Sequence, residues 1–238
     1  MSVSDHTAVV TGAGSKRGIG RATAHALAAA GWNVAVLDLD EAGAKDIADE
    51  IAEQHGVQAV GVGCDVTDAA SVENALATVA AAVPPVGAVV NNAGITSPTP
   101  FLKVTAEEWE RIFAVNVRGS YNVTRQLAPG MVERGFGRII AVTTTFTAAP
   151  GPRMSAYVAP KVAQEAILRV VAREVAGTGV TANVIAVKSI DAKHERESDP
   201  SPKNAAWTTP EEIVATMRFL CSDEAGTING ARIPLDGR

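Results

Sequence analysis

Short apolar runs rich in β-branched residues alternate along this chain with amphipathic stretches of helical period, and that alternation leaves few folds open. The runs are His6–Thr11, Asn33–Asp38, Val57–Cys64, Ala88–Asn91, Arg138–Thr143, Val180–Ala186 and Arg232–Leu235, each short enough to read as a strand. Between them, "DEAGAKDIADEIAEQHG" puts charges on one face and Ala and Ile on the other. "DAASVENALATVAAAV" opens on an aspartate suited to cap a helix, and "AQEAILRVVAREVAGTG" closes on a glycine stop. Strands alternating with helices of this length predict parallel βαβ units, hence an α/β fold with a doubly wound parallel sheet covered by helices on both faces.

The 238 residues suit a single domain of this kind, and 47% hydrophobic residues are enough for its core. No composition break divides the chain. The polar stretch "DAKHERESDPSPKN" is read as part of a substrate-lid loop over about 188–207. The formal net charge is −5 and the cations are scattered, which argues against a nucleic-acid surface. The start has no basic segment followed by an apolar one, and Pro84-Pro85 breaks the longest uncharged stretch. A soluble cytoplasmic protein with no membrane partner is expected. Cys64 and Cys221 form no Cys-x-x-Cys pair and are expected as buried free thiols. His6, His25, His55 and His194 never show ligand spacing, so no catalytic metal is expected.

After the first strand comes "TGAGSKRGIG", in which Gly12, Gly14, Gly18 and Gly20 separate a strand from a helix. Glycines here permit tight turning and close approach of a pyrophosphate, which the helix N-terminus then attracts. A plain glycine-rich turn is the alternative. The second strand ends at Asp38, where a carboxylate can accept hydrogen bonds from adenosine ribose hydroxyls and would repel a 2′-phosphate. Arg17 and Lys16, in the glycine loop, could neutralise such a phosphate. NAD is favoured, with NADP left open. Asp65-Val66 follows the third strand, where the aspartate could reach the adenine amino group or serve as a turn residue. Asn91-Asn92-Ala93-Gly94 follows the fourth and fits a backbone turn beside a ligand or a plain structural turn.

Thr11-Gly12 with Gly18-Ile19-Gly20, Asp38, Asp65, the Asn-Asn-Ala-Gly run, Asn116 and Tyr157-x3-Lys161 occur in that order. Together they resemble the short-chain dehydrogenase/reductase family, most closely its 3-oxoacyl-carrier-protein reductase type. The resemblance covers nearly the whole chain. It implies a Rossmann-type NAD(P)-binding domain, a small-molecule ketone or alcohol as substrate, and a homotetramer or homodimer. It implies Tyr157 as acid/base, Lys161 as its partner, Asn116 as holder of a proton-relaying water, and a hydroxyl residue 13 before the tyrosine, here Thr144. Backbone near Ile190 is implied to hold the nicotinamide carboxamide.

The residues support that chemistry. Ketone reduction needs hydride at carbon and a proton at oxygen; a free tyrosine, with a pKa of about 10, is a poor base at neutral pH unless a cation favours its phenolate. Tyr157 and Lys161 lie four apart, on one face of a helix. Pro160 places the start of that helix near Ser155–Tyr157, within its first turn, with Ser155 as candidate N-cap. Strand alternation separates Thr144 from Thr143 and Thr145, and threonine carries the same hydroxyl as serine.

Three features depart from the family pattern: threonine replaces serine, the glycine loop is two residues longer than the common form, and Val187-Lys188 stands where Pro-Gly is usual. Lys188, if it faces the pocket, could attract an anionic substrate; a plain solvated lysine is the alternative. These departures keep a second reading open, a low-turnover NAD(P)-binding sensor or oligomer partner with a degenerate substrate site.

Overall fold

The structure, a computed structural model, describes residues 3–191 and 207–237. Seven strands form one sheet: β1 (Thr7–Thr11), β2 (Asn33–Asp38), β3 (Ala59–Gly63), β4 (Val86–Asn91), β5 (Gly137–Thr144), β6 (Val180–Val187) and β7 (Arg232–Leu235). All pairings are parallel, in the order β3-β2-β1-β4-β5-β6-β7. Successive side chains on a strand face opposite sides. Val10, Val36, Val90 and Ile140 therefore enter one core with helices α1 (Ile19–Ala29) and α2 (Glu41–His55), while Val9, Leu37, Val89 and Ile139 enter a second core on the other face. That second core also takes residues of α3 (Ala69–Ala82), α5 (Ser120–Arg134) and α6 (Ser155–Glu174). Burial on both faces is why these strands read as continuous apolar runs.

The remaining helices are α4 (Ala106–Phe113) and α7 (Pro210–Cys221), the latter opened by a Thr209–Glu212 capping box. Asp40 and Asp68 cap α2 and α3 with their side chains. All seven expected strands are present; β2 and β7 have the expected bounds, and the others differ by at most two residues at an end. β6 runs on through Val187 because no proline stops it, and the Lys188 N–H continues the pattern by donating to Leu235 O at 3.1 Å.

Helix α6 corrects two local expectations. It starts at Ser155 with Met154 as its cap, so Ser155 lies inside the helix and its buried hydroxyl has no partner among the described residues. Pro160 consequently falls in the second turn, where its missing N–H leaves the Ala156 carbonyl without its helical donor. Between α4 and α5 the chain stays helical through a π-turn, Ala114–Gly119, which the sequence did not announce.

Cys64 and Cys221 are buried free thiols, raised by burial to about 11 and about 12. Among the described residues no helix is long and apolar enough to cross a membrane, and no metal-holding cluster is present. Most of the expected lid, residues 192–206, lies outside the described residues.

Candidate active site

The chain runs β1→β2→β3 to one side, then returns to place β4 on the other side of β1. Ligands of such sheets bind at this reversal, beyond the carboxyl ends of the strands. A cleft of about 460 Å³ lies there. Gly12, Arg17, Gly18, Ile19 and Gly20 form one wall, and Asp38, Asp65 and Val66 line the far end. Asn92, Ala93, Gly94 and Ile190 close it toward the sheet centre. Leu39, Thr67, Ile95 and Val115 also line it; as ordinary apolar and turn residues they carried no sequence signal.

The backbone here is packed too closely for side chains. A Cβ on Gly12 would lie 2.8 Å from Ala93 Cα, and one on Gly20 would lie 2.4 Å from Gly12 O. Thr11 joins the two turns, since its hydroxyl accepts the N–H of Asn92 (3.1 Å) and of Ala93 (3.0 Å). Asn92 Nδ2 donates back to Thr11 O and Gly12 O, both at 2.9 Å. Asn91 instead turns away and donates to Thr124. Helix α1 begins after Gly18 with no side-chain cap, so its first N–H groups are left for an anion. A dinucleotide pyrophosphate fits this cradle.

Gly14 is placed differently from its neighbours. Its N–H donates to Asp38 Oδ2 at 2.8 Å, and a Cβ there would meet Asp38, so it positions the carboxylate from behind the cleft. Asp38 Oδ1 accepts the Asp40 N–H. Asp65 Oδ1 is occupied by the Thr67 N–H and hydroxyl in a local turn, while Oδ2 has no protein partner among the described residues. Arg17 lines the cleft, whereas Lys16 lines a separate hollow with Asp40, Asp46 and Glu50.

An inner cavity of about 240 Å³ continues from the cleft, sharing Ile19, Asn92, Gly94, Ile95 and Ile190 with it. Tyr157, Lys161 and Lys188 line this cavity. Ile190 is held by a bridge to Thr208, which ties the end of β6 to the start of α7. Thr144, at the end of β5, is 1% exposed; its hydroxyl accepts the Phe146 N–H at 3.3 Å and lies close enough to the Tyr157 phenol to act on its protonation. Burial pushes the Tyr157 phenol up, with the Thr144 hydrogen bond opposing.

This differs from the expectation that Lys161 would favour the phenolate. Lys161 Nζ donates to Val142 O (2.7 Å) and Gln164 Oε1 (3.2 Å) instead. Burial lowers its ammonium to about 8, against the raising effect of Glu165. Asn116 sits in the π-turn, fully buried, and its amide closes a two-bond ring with Ile95: N–H to Oδ1 at 2.8 Å, Nδ2 to O at 2.9 Å. A Cβ on Gly94 would lie 3.0 Å from Asn116 Oδ1 and 3.4 Å from Lys161 Nζ, so the two groups flank the same small space.

Behind the threonine run lies a polar network that spacing alone concealed. Glu165 accepts from the hydroxyls of Thr143 (2.9 Å) and Thr147 (2.8 Å) and pairs with Arg232 Nε at 3.1 Å. Arg232 also donates to Thr144 O and Thr147 Oγ1. Thr143 thus faces Glu165, while Thr144 faces Tyr157.

A parallel sheet in this order, with a glycine-walled cleft at its reversal, defines a Rossmann-type dinucleotide fold. A family model described as short chain dehydrogenase matches residues 6–203. The chain is 32% identical to D-threitol dehydrogenase of Mycolicibacterium smegmatis, covering 97% of this chain and 91% of that protein. It is 33% identical to the 3-oxoacyl-[acyl-carrier-protein] reductase FabG of Salmonella typhimurium, over 100% of this chain and 98% of that one. The crystal structure of levodione reductase superposes with a TM-score of 0.87 at 27% identity, covering 98% and 96% of the two chains. The chain belongs to the short-chain dehydrogenase/reductase family and is an oxidoreductase.

Proposed function

We propose that this enzyme interconverts a ketone and a secondary alcohol with NAD, using Tyr157 as acid/base. The observation that carries the reading is Tyr157, which lines with Lys161 a cavity that opens directly from the dinucleotide cleft and has the Thr144 hydroxyl beside it. The nicotinamide, when bound, supplies or takes up the hydride at the substrate carbon. Thr144 holds the substrate oxygen, and Tyr157 donates its phenolic proton to that oxygen in reduction or removes it in oxidation. Burial keeps the phenol protonated at neutral pH, which suits reduction; oxidation gains as pH rises. Lys161 has a third N–H beside Gly94 for the nicotinamide ribose, and Asn116 shapes the small space where a water joins Lys161. Gly12, Gly18, Ile19 and Gly20 with α1 hold the pyrophosphate, Asp65 and Val66 the adenine, Asn92, Ala93 and Gly94 the nicotinamide riboside, and Ile190 the carboxamide.

Asp38 favours NAD, because its carboxylate, fixed by Gly14 and lining the cleft, would repel a 2′-phosphate. Arg17 alone in the cleft opposes it. Titration with each cofactor should give a lower dissociation constant for NADH than for NADPH; the reverse order would remove this part of the reading. Exposed Tyr121, Val132 and Val170, beside an apolar hollow between α5 and α6, support self-association into a dimer or tetramer, measurable by light scattering.

A spectrophotometric screen of cofactor oxidation against a ketone panel tests the chemistry. Turnover should fall at least ~100-fold in Tyr157→Phe. Cofactor binding without turnover on any ketone, unchanged in Tyr157→Phe, would favour a cofactor-binding sensor.

A further inference from the structure

The inner cavity meets an outer one of about 550 Å³ at Thr96 and Tyr157. Arg153 lines the outer cavity and Lys188 the inner one, so a molecule reacting at Tyr157 has a cation on either side. No carboxylate lines either cavity among the described residues, in a chain whose formal net charge is −5. Lys161, the other cation here, already spends donors on Val142 O and Gln164.

Arg153 is held in place in an unusual way. It is the one non-glycine residue with positive φ among those described, at 65°, a conformation costly for a bulky side chain. Its Nε donates to Pro98 O at 2.7 Å, bridging the loop after β4 to the loop before α6. Both terminal amines are left without a protein partner among the described residues. That edge of a guanidinium matches the two oxygens of an oxyacid. Lys188 is fixed through its main chain at Leu235, while its ammonium has no described protein partner. Unpaired cations without neighbouring acids draw anions into a cleft.

We propose that the substrate carries a carboxylate or phosphate group, received by Arg153 and Lys188. This rests on the ketone–alcohol reading of the same site. Arg153 lies beyond the inner cavity, and Lys188 lies at its nicotinamide end rather than on α1 where the pyrophosphate, the anionic part of NAD, would lie, so the anion these two cations receive belongs to the substrate. A neutral substrate would leave both cations to water alone.

The test is calorimetric titration of the full chain with hexanoate, hexyl phosphate and hexanamide, with and without saturating NAD. At least one anion should bind about tenfold more tightly than the amide, and the stronger of the two names the oxyacid. The preference should vanish in Arg153→Met/Lys188→Met and persist in Arg153→Lys and Lys188→Arg, which guard against a fold effect. Equal binding of the amide, a preference that survives the double methionine variant, or anion binding abolished by NAD would overturn the proposal. Turnover is read separately. An intact anion preference with no ketone reduced would sink the oxidoreductase reading and leave the anion site. Ketones reduced with no preference for a carboxylate over its methyl ester would do the opposite.

Discussion

Thr11 and Thr144 stand at the carboxyl ends of β1 and β5, both almost fully buried, and they do different work. A threonine hydroxyl offers one donor and two acceptor positions. Thr11 uses all three inside the protein, on Val90 O and the N–H groups of Asn92 and Ala93. Thr144 takes one N–H, from Phe146, and stands beside the Tyr157 phenol, so its hydroxyl is not spent on the backbone as that of Thr11 is. The contrast extends to the regions around them. The cofactor side is built from backbone pressed against backbone, and its residue types are dictated by space. The substrate side is built from side chains whose identity can vary while the fold stays the same.

The most severe way to break that contrast is Gly20→Ala. The added methyl would meet Gly12 O at 2.4 Å and Asn92 Nδ2 at 2.6 Å, backbone and a bonded amide that cannot both give way. The dissociation constant for NADH should rise about hundredfold, roughly 3 kcal/mol, with a lower melting temperature. Unchanged cofactor affinity would show that the turn is looser than its packing implies.

Lys161 probes the substrate side by its pH dependence. Its folded-state pKa is lowered to about 8 from 10.5, chiefly by burial. Between those values the unfolded chain binds the proton that the folded chain has released, so stability rises with pH across the window. Relative to Lys161→Met, the wild type should therefore gain up to about 3 kcal/mol between pH 8 and 10.5, read by denaturant unfolding. A difference flat in pH would mean that the ammonium is better solvated than its surroundings suggest. A functional group kept at such a cost is typical of sites where activity opposes stability.

The same contrast explains what could be read from the sequence. The central strands were legible because burial on both faces makes each a largely apolar run, and Gly12, Gly18 and Gly20 because only glycine fits where they stand. The π-turn at Ala114–Gly119 was not legible, since no residue type marks one extra residue in a helical turn. Ser155 was misplaced by a single position, because a serine before a helix and a serine opening it look alike. Arg153 carries no glycine-like signal for its positive φ. Glu165 and Arg232 approach only because β7 returns beside β6, which no local pattern encodes.

Thr144 gives the smallest expected effect and the finest test. Thr144→Ser keeps the hydroxyl beside Tyr157 and loses a methyl from a site 1% exposed, so kcat should change by less than about threefold. Thr144→Ala removes the hydroxyl, leaving the Tyr157 phenol and the substrate oxygen each short of a partner, and kcat should fall about tenfold to hundredfold. The neighbouring Thr143→Ala removes a hydrogen bond to Glu165 on the far side of the strand. It should lower stability by roughly 1 kcal/mol while affecting kcat less than Thr144→Ala does. If both alanine variants reduced kcat alike, the loss would come from the shared Glu165–Arg232 network, and the distinction between a reactive and a structural threonine would fall.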